Sequence, residues 1–203
     1  MDDVERLNAG SSFRYRFLIV ALMPAPVLGQ LVAQPALERP DLLAPPVHAF
    51  LSTWDRAGEV GVAEIDPELA DTAACAEAYD LPMQSGANCV VVSGRRAGEE
   101  RLAACLVRAD TRADVNNVVK RALDVRKCSF HPMERAVEET GMEYGGITPL
   151  GLPDGWPLLV DAAVVDLPYV LVGSGRRRGK LLVPGKAFAE LPHAVVLEGL
   201  GVS

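Results

Sequence analysis

The chain has 203 residues, of which 49% are hydrophobic and 23% are charged, and this length and composition fit one globular domain with a substantial buried core. Its formal net charge is -7 at pH 7, which excludes a protein that coats nucleic acid through an overall positive surface. Binding to a phosphate backbone would therefore require a local patch of basic side chains.

Residues 1–45 are interpreted as an N-terminal extension and linker. Within them, residues 14–33 resemble a secretory signal, because Arg14 and Arg16 precede an apolar run. This run is too short to span a bilayer, which needs about 20 apolar residues. Three interpretations stay open: an extension of the folded chain, a natural start at Met23, and a signal for export. The first two carry more weight, so the expected location is the cytoplasm, with no membrane association, and export is the minor alternative.

Residues 46–203 are predicted to form one domain in which strands and helices alternate. Residues 59–65 alternate apolar and polar side chains, as a half-buried strand does. Asp66 is a favoured N-cap and Pro67 suits the first helical position, so a helix is expected to run to Tyr79. The next predicted elements are strands at 89–93 and 102–107, joined by a hairpin-like turn at 94–98.

The second half of the domain continues this alternation. A helix is predicted at 115–123 from its apolar spacing, and another at 133–140 is expected to stop at Gly141. Strands are predicted at 158–164, 169–172, 181–183 and 194–197, with a short helix at 186–191. The elements alternate without long, even crossovers. This pattern predicts an α/β protein of the mixed α+β kind, with a curved, partly barrel-like mixed sheet and packed helices.

The first candidate for a ligand site is the loop Gly145-Gly146-Ile147-Thr148-Pro149. Adjacent glycines permit positive φ angles and let another molecule approach the bare backbone, while Pro149 biases Thr148 toward an extended conformation. The result is a stiff loop that presents N–H groups to whatever lies in front of it. Taken alone, such a loop is more often a connector than a site.

The second candidate begins where the predicted strand at 169–172 runs into Gly173-Ser174-Gly175 and then into Arg176, Arg177, Arg178 and Lys180. The glycines expose backbone amides and a small hydroxyl at the end of a strand. An isolated arginine run is usually a solvated turn, but here the basic residues stand in an acidic protein. That local reversal of charge favours a phosphate-bearing ligand.

Together these stretches resemble the YbaK/EbsC family, the aminoacyl-tRNA deacylases related to the editing domain of prolyl-tRNA synthetase. The residues that carry the resemblance are Tyr144–Gly151, the strand Pro157–Asp161, and Gly173-Ser174-Gly175 with Arg178-Gly179. Their order and spacing agree with the family, and the resemblance extends from about residue 60 to the end of the chain. It implies a YbaK-like fold over residues 46–203 and a trans-editing hydrolase that removes wrong amino acids from tRNA and so protects translation fidelity.

The resemblance also implies roles for individual residues. Those implied to be catalytic are Gly145, Gly146, Thr148 and Ser174; those implied to bind substrate are Tyr144, Ile147, Pro149, Asn88, Asp161, Gly173 and Gly175; those implied to bind tRNA are Arg176, Arg177, Arg178 and Lys180. Loop amides and hydroxyls would orient a water, the terminal ribose or the substrate's own side chain for attack, with no metal and no cofactor. The implied partner is the aminoacyl 3′ end of a mischarged tRNA, and an aminoacyl-tRNA synthetase is a second candidate partner.

The chain departs from the family pattern at one informative position. Many family members have a lysine at the start of the strand that corresponds to residues 88–92, and this chain has Ala87 there. An alanine cannot hold a phosphate or polarise an ester. Either Asn88 and the basic run 176–180 substitute for the lysine, or the protein is a catalytically silent module that binds an aminoacyl or nucleotide ligand. Retained hydrolysis is the favoured alternative.

The cysteines and histidines are interpreted as structural. None of the four cysteines forms a Cys-x-x-Cys pair, and Cys89 and Cys105 lie in apolar runs, so buried, reduced thiols are favoured over a disulfide or a reactive thiol. No histidine neighbours a glycine-flanked serine in the sequence. His131, which precedes Pro132 at a predicted helix start, is expected to be a capping or surface residue.

Overall fold

The computed structural model describes residues 27–203. Its strands are β1 (Val27–Leu28), β2 (Leu31–Val32), β3 (Gln34–Pro35), β4 (Gly61–Glu64), β5 (Ala87–Arg96), β6 (Glu99–Arg108), β7 (Arg112–Ala113), β8 (Cys128–Phe130), β9 (Leu158–Asp161), β10 (Val170–Gly173), β11 (Gly179–Val183), β12 (Ala194–Leu197) and β13 (Gly201–Val202). Its α-helices are α1 (Pro45–Leu51), α2 (Thr72–Ala78), α3 (Lys120–Ala122), α4 (Met133–Thr140) and α5 (Ala162–Val165). Short 3₁₀ turns and the π-helical turn Val115–Val119 connect them.

The larger sheet has five strands in the order β12-β9-β6-β5-β8. β12, β9 and β6 are parallel to one another, whereas β5 is antiparallel to both β6 and β8. The predicted hairpin is confirmed, but its strands β5 and β6 extend beyond the apolar runs and turn at Ala97-Gly98. This sheet supplies β5, the strand on which the site is built.

The second sheet has four antiparallel strands in the order β10-β11-β4-β3. A single bridge between Gly86 and Leu171 joins β10 to the start of β5, and the main buried cluster takes side chains from both sheets, including Leu106 and Leu181. Because this junction is one bridge and not a ladder, the two sheets do not close into a barrel within residues 27–203. The mixed α+β class is therefore confirmed, and the partly barrel-like closure is not.

Part of the segment predicted to be an extension or linker packs into the fold. β3 pairs with β4, and Leu42 and Leu43, which are 0% and 1% exposed, belong to the main buried cluster. The apolar side chains of this segment reach the core because Pro40–Leu42 forms a 3₁₀ turn beside the sheet. Residues 1–26 lie outside the described residues, so the expectations about the start of the chain and about export stay predictions. No helix among residues 27–203 has the length and apolar character needed to cross a membrane.

The predicted helix at 66–79 is two elements. Asp66 is an N-cap, as expected, because its carboxylate accepts the N–H of Glu68, but it caps only the 3₁₀ turn Pro67–Leu69. A second cap, Asp71, then starts α2. The break between the two elements places residues 70–72 in the lining of the cavity described below.

The predicted strand at 158–164 is shorter than expected. It ends at Asp161, because this carboxylate accepts the N–H of Ala163 and begins the short helix α5. The predicted helix at 133–140 is confirmed, and it ends at Gly141, whose φ of +65° is the left-handed conformation that favours glycine.

Candidate functional site

A cavity of about 500 Å³ lies between β5, the loop after α4 and the start of α2. Its lining comes from residues 70–72 and 87–91, from Phe130, His131, Met133 and Ala136, from Tyr144, Gly145 and Ile147, and from Gly173 and Lys180. Its volume falls within the range of about 300–1,000 Å³ that small-molecule sites usually have.

The two glycine-containing stretches meet beside this cavity. The N–H of Gly175 donates a hydrogen bond of 2.8 Å to the carbonyl of Gly146. A Cβ on Gly146 would lie within 2.9 to 3.0 Å of the backbone of Arg176, and a Cβ on Gly173 would collide with the carbonyl of Gly146. Glycine is therefore required at both positions, because backbone packs directly on backbone. The structure thus brings together the two stretches on which the sequence prediction was based.

The wall opposite this loop is β5, which contributes Asn88 to the lining. The Oδ1 atom of Asn88 accepts a hydrogen bond of 2.7 Å from the hydroxyl of Thr72 at the start of α2. Next to it, burial raises the pKa of Cys89 to about 12. This thiol therefore stays protonated near neutral pH and is inert. All four cysteines are free thiols, as the sequence predicted.

Three residues predicted to be catalytic are not in the lining of the cavity: Gly146, which packs on the backbone of Arg176, and Ser174 and Thr148, which lie behind the cavity. Ser174 is 0% exposed, and its hydroxyl donates to the carbonyl of Leu42 at 2.7 Å. Thr148 is also 0% exposed; its N–H donates to the sulfur of Met142 at 3.4 Å, and its hydroxyl has no hydrogen-bond partner among the described residues. Ser174 and Thr148 support the loop from inside the core.

Three residues predicted to bind substrate are also outside the lining. Pro149 is buried next to Thr148. Asp161 is 4% exposed and accepts the N–H groups of Ala163 and Gly201, at 3.1 and 2.7 Å. Gly175 has a φ of +80° and packs against Ala44. Tyr144, Gly145, Ile147, Asn88 and Gly173 do line the cavity.

The sequence profile of the aminoacyl-tRNA editing domain matches residues 66–191. The chain belongs to this family. This match confirms the resemblance drawn from the sequence, and the editing domain is accordingly an aminoacyl-tRNA deacylase, which hydrolyses the ester between an amino acid and its tRNA. No curated protein matches the chain.

Solved structures resemble the editing domain at the level of the fold. One is described as a proposed trans-editing enzyme for prolyl-tRNA synthetase, with 22% identity, a TM-score of 0.67, and coverage of 79% of this chain and 97% of that one. The hypothetical protein APE2540 has 22% identity, a TM-score of 0.61, and coverage of 70% and 90%. A protein of Marinobacter aquaeolei VT8, described as a proposed signal transduction protein, has 18% identity, a TM-score of 0.54, and coverage of 78% and 30%.

The arginines that were predicted to bind tRNA have partners within the editing domain. Nε of Arg176 donates to the carbonyl of Leu43 at 2.7 Å. Arg177 donates to the carbonyls of Pro67 and Tyr144, at 2.9 and 3.4 Å. Arg177 therefore joins the 3₁₀ turn Pro67–Leu69 to Tyr144 of the loop, and both arginines contribute to the fold around the site.

Arg178 is the exposed member of the run, and it forms an ion pair with Glu64. Arg39 donates to the same carboxylate and to Asp41. Together Arg39 and Arg178 hold the pKa of Glu64 below its ordinary value. Contact between this run and tRNA stays a prediction, since Arg178 is already paired with Glu64 and the side chains of Arg176 and Arg177 donate to carbonyls of the protein.

Lys180 lies apart from these arginines. It is 8% exposed, lines the cavity, and donates from Nζ to the carbonyl of Ala70 at 3.0 Å. Burial lowers its pKa below the ordinary value. Lys180 was predicted to bind tRNA together with the arginines, and that role stays a prediction; β11 places its side chain in the wall of the cavity. A lysine directly before the apolar run Leu181–Val183 was the available signal in the sequence.

His131 was expected to cap a helix or lie on the surface, and this expectation is wrong. It is 5% exposed and lies in the cavity wall, because its N–H continues the pairing of β8 with β5 by donating to Val91 at 2.9 Å. Its Nε2 atom is 3.4 Å from a carboxylate oxygen of Glu139, and neither ring nitrogen makes a hydrogen bond to the described residues.

The mouth of the cavity has an apolar rim formed by Phe130, Met133 and Tyr144. These side chains are 59%, 51% and 61% exposed, and all of them line the cavity. Exposed aromatic side chains beside a pocket can stack on a nucleobase. Only Tyr144 was predicted from the sequence, because the other two residues become neighbours of the loop only through the pairing of β8 with β5.

Proposed function

We propose that the editing domain is a trans-editing deacylase of the prolyl-tRNA type, which removes a wrong amino acid from tRNA. The observation that carries this proposal is the cavity between β5 and the loop Gly145–Pro149. Its volume of about 500 Å³ suits an aminoacyl group with part of the terminal ribose. The proposed trans-editing enzyme for prolyl-tRNA synthetase, whose fold aligns over 97% of its length, supports this choice of tRNA.

A water molecule is the proposed nucleophile, because the hydroxyl of Thr72 and the thiol of Cys89 in the cavity lining are not activated. The hydroxyl of Thr72 already donates to Asn88. The thiol of Cys89, with a pKa raised to about 12, is protonated at neutral pH, and it is the thiolate that attacks an ester. Direct attack by water therefore fits this lining better than a covalent intermediate does.

Backbone N–H groups of the loop are the proposed donors to the ester. Gly145 and Ile147 line the cavity, and their N–H groups have no acceptor within residues 27–203. Donors that are fixed in place before the reaction stabilise the oxyanion that forms when water attacks a carbonyl carbon. The packing of Gly146 against Arg176 fixes this loop, so Gly146 acts as a positioning residue.

The terminal adenosine of the tRNA is proposed to lie on the apolar rim. Stacking of a base on an aromatic side chain contributes about 1–3 kcal/mol and depends little on the identity of the base. Phe130 and Tyr144 are the aromatic members of the rim. Binding of the base at the rim would direct the aminoacyl group into the cavity. A tRNA substrate places the proposed site of action in the cytoplasm, and an aminoacyl-tRNA synthetase remains the second proposed partner.

A panel of mischarged tRNAs tests the proposal. The expected result is that the wild-type protein deacylates at least one of them faster than buffer does, with several mischarged forms of tRNA(Pro) included. Ile147→Trp is expected to reduce that rate at least tenfold by filling the cavity. Leu37→Trp, at an exposed position away from the cavity, is the matched control and should keep the wild-type rate.

Absence of deacylation across the whole panel would overturn the proposal. If an adenosine that carries an amino acid through a stable amide still bound to the protein in that case, the editing domain would be a binding module. Cleavage of other mischarged tRNAs, with none of the prolyl type, would overturn only the assignment to prolyl-tRNA.

A further inference from the structure

Lys180 is a cation held inside the cavity wall with few protein partners. On β11 it stands opposite Gly173 of β10 and Ala63 of β4, and the neighbouring buried cluster includes Ala63, Leu182 and Cys75. An ammonium group has three N–H donors, and only the bond to the carbonyl of Ala70 is made within the described part of the chain. Donors remain for a ligand in the cavity.

The fold alone does not account for a lysine at this position. Desolvation disfavours a buried charge, so a lysine among apolar side chains costs stability unless it is well paired. An apolar side chain would extend the cluster that already contains Leu182 and Ala63. Residues that lower stability in this way are typical of functional sites, where a charge must be ready for a substrate.

We propose that Lys180 is a catalytic residue of the editing domain and that its ammonium group donates to the carbonyl oxygen of the aminoacyl ester. Ala87 of β5 and Lys180 of β11 line the same cavity, so the positive charge absent from the start of β5 is supplied by the other sheet. This inference rests on the proposed function, because it assigns a role at that same site.

The reaction balances without any further reactant. The oxygen of a water molecule bonds to the ester carbon, and the carbonyl oxygen takes up the negative charge next to the ammonium group of Lys180. The bond from carbon to the ribose oxygen then breaks, and the proton released by the water goes to that ribose oxygen. The products are the free amino acid and a tRNA with an intact terminal hydroxyl. Lys180 keeps its proton throughout and acts by electrostatic stabilisation.

The three arginines of the basic run, Arg176, Arg177 and Arg178, do not offer a group equivalent to the ammonium of Lys180. Arg176 and Arg177 donate to carbonyls of the protein, and Arg178 is paired with Glu64. None of these arginines lines the cavity. Among the basic residues of the run, Lys180 is the one whose charge is available to a ligand in the cavity.

The test compares Lys180→Met and the double variant Ala87→Lys/Lys180→Met with the wild-type protein. Lys186→Met, at an exposed lysine, is the matched control. Two quantities are measured for each variant: the rate of deacylation of the best mischarged tRNA, and the binding of an adenosine that carries the amino acid through an amide. Thermal melting reports on folding.

Lys180→Met is expected to lower kcat about 10²–10³-fold, the usual loss when an oxyanion donor is removed, and to weaken binding of the amide, while the melting temperature stays equal or rises. The double variant is expected to recover at least tenfold in kcat, because its new lysine enters the same cavity. Lys186→Met should resemble the wild-type protein in every measurement.

A Lys180→Met protein with a rate within threefold of wild type would overturn the inference. So would a loss of rate that is matched by a loss of melting temperature and not recovered in the double variant. If the wild-type protein cleaves none of the tRNAs, the proposed function fails. Binding of the adenosine that carries the amino acid through an amide then tests the role of Lys180 separately. Weaker binding to Lys180→Met then supports a ligand-binding cation, and equal or absent binding overturns it.

Discussion

The carbonyl of Gly146 accepts the N–H of Gly175 at 2.8 Å, and this contact joins two stretches of sequence at the edge of the cavity. Because the backbones touch, no side chain fits between them. The loop that lines the cavity is therefore held by the end of β10, and its geometry depends on glycine at positions far from each other in the chain.

Gly146→Ala is expected to destabilise the protein by about 1–3 kcal/mol, the usual effect of forcing extra atoms into a packed interior. The new Cβ would lie 2.9 to 3.0 Å from backbone atoms of Arg176, which cannot move aside as a flexible side chain could. Chemical denaturation measures the change. Gly58→Ala is the control, because nothing lies within 4 Å of its added Cβ, and equal losses in the two variants would contradict the packing argument.

Thr148→Val is expected to leave deacylation within about twofold of wild type and to keep or raise the free energy of unfolding. The hydroxyl of Thr148 is buried without a partner among the described residues, and an unpaired buried polar group is unfavourable. Turnover and thermal melting measured on the same preparation check this. A large loss of turnover in a fully stable protein would restore the catalytic role that the sequence suggested.

Tyr144→Ala is expected to raise KM for tRNA by about 5- to 150-fold, since one stacked base contributes about 1–3 kcal/mol, and to change kcat little. Tyr144 is 61% exposed at the rim, so its loss should not disturb the core. Val195→Ala, an exposed apolar residue away from the cavity, is the control. A fall in kcat with no change in KM would show that the phenol contributes to the chemical step and not to binding of the terminal base.

Deacylation is expected to decline at alkaline pH as Lys180 loses its proton. Burial lowers the pKa of Lys180 below its ordinary value of 10.5; Cys75 and Asp71 act in the opposite direction, and Arg177 lowers it further. Since the protonated form is the active one, kcat/KM corrected for uncatalysed hydrolysis should fall as the pH rises through this lowered pKa. Lys180→Met should lack this decline, and parallel pH profiles for the two proteins would contradict the assignment.

The same pKa shift predicts how stability changes with pH. Between the folded-state pKa and the ordinary value of 10.5, the unfolded chain binds this proton more tightly than the folded protein does. The contribution of Lys180 to stability therefore rises with pH across that range. Thermal melts should show the wild-type protein gaining relative to Lys180→Met as the pH increases there.

Much of the fold could be predicted from local patterns. The Asp66-Pro67 start, the Gly141 stop and the hairpin of β5 and β6 are each determined by residues close together in the chain, and the structure confirms them. The interruption before Asp71 was not predicted, because a continuous helix and a turn followed by a second cap have similar local sequences.

The candidate site was predictable only in part. Glycines mark close backbone contacts, so the stretches around Gly146 and Gly173 could be identified. The positions of Lys180 and His131 depend on which strand faces which, and strand pairing is not encoded in a short window of sequence. For the same reason the hydroxyls of Thr148 and Ser174 resembled site groups in the sequence, whereas the structure places them in the core.

The packing of residues 31–44 has a practical meaning for how the domain is produced in the laboratory. The carbonyls of Leu42 and Leu43 accept the hydroxyl of Ser174 and the guanidinium of Arg176, and the N–H of Ala44 donates to the carbonyl of Ser174. A recombinant fragment trimmed to begin at residue 46 would lack all of these groups. Fragments intended for crystallisation or tRNA assays should therefore start before β2, so that the loop bearing Ser174 keeps its scaffold.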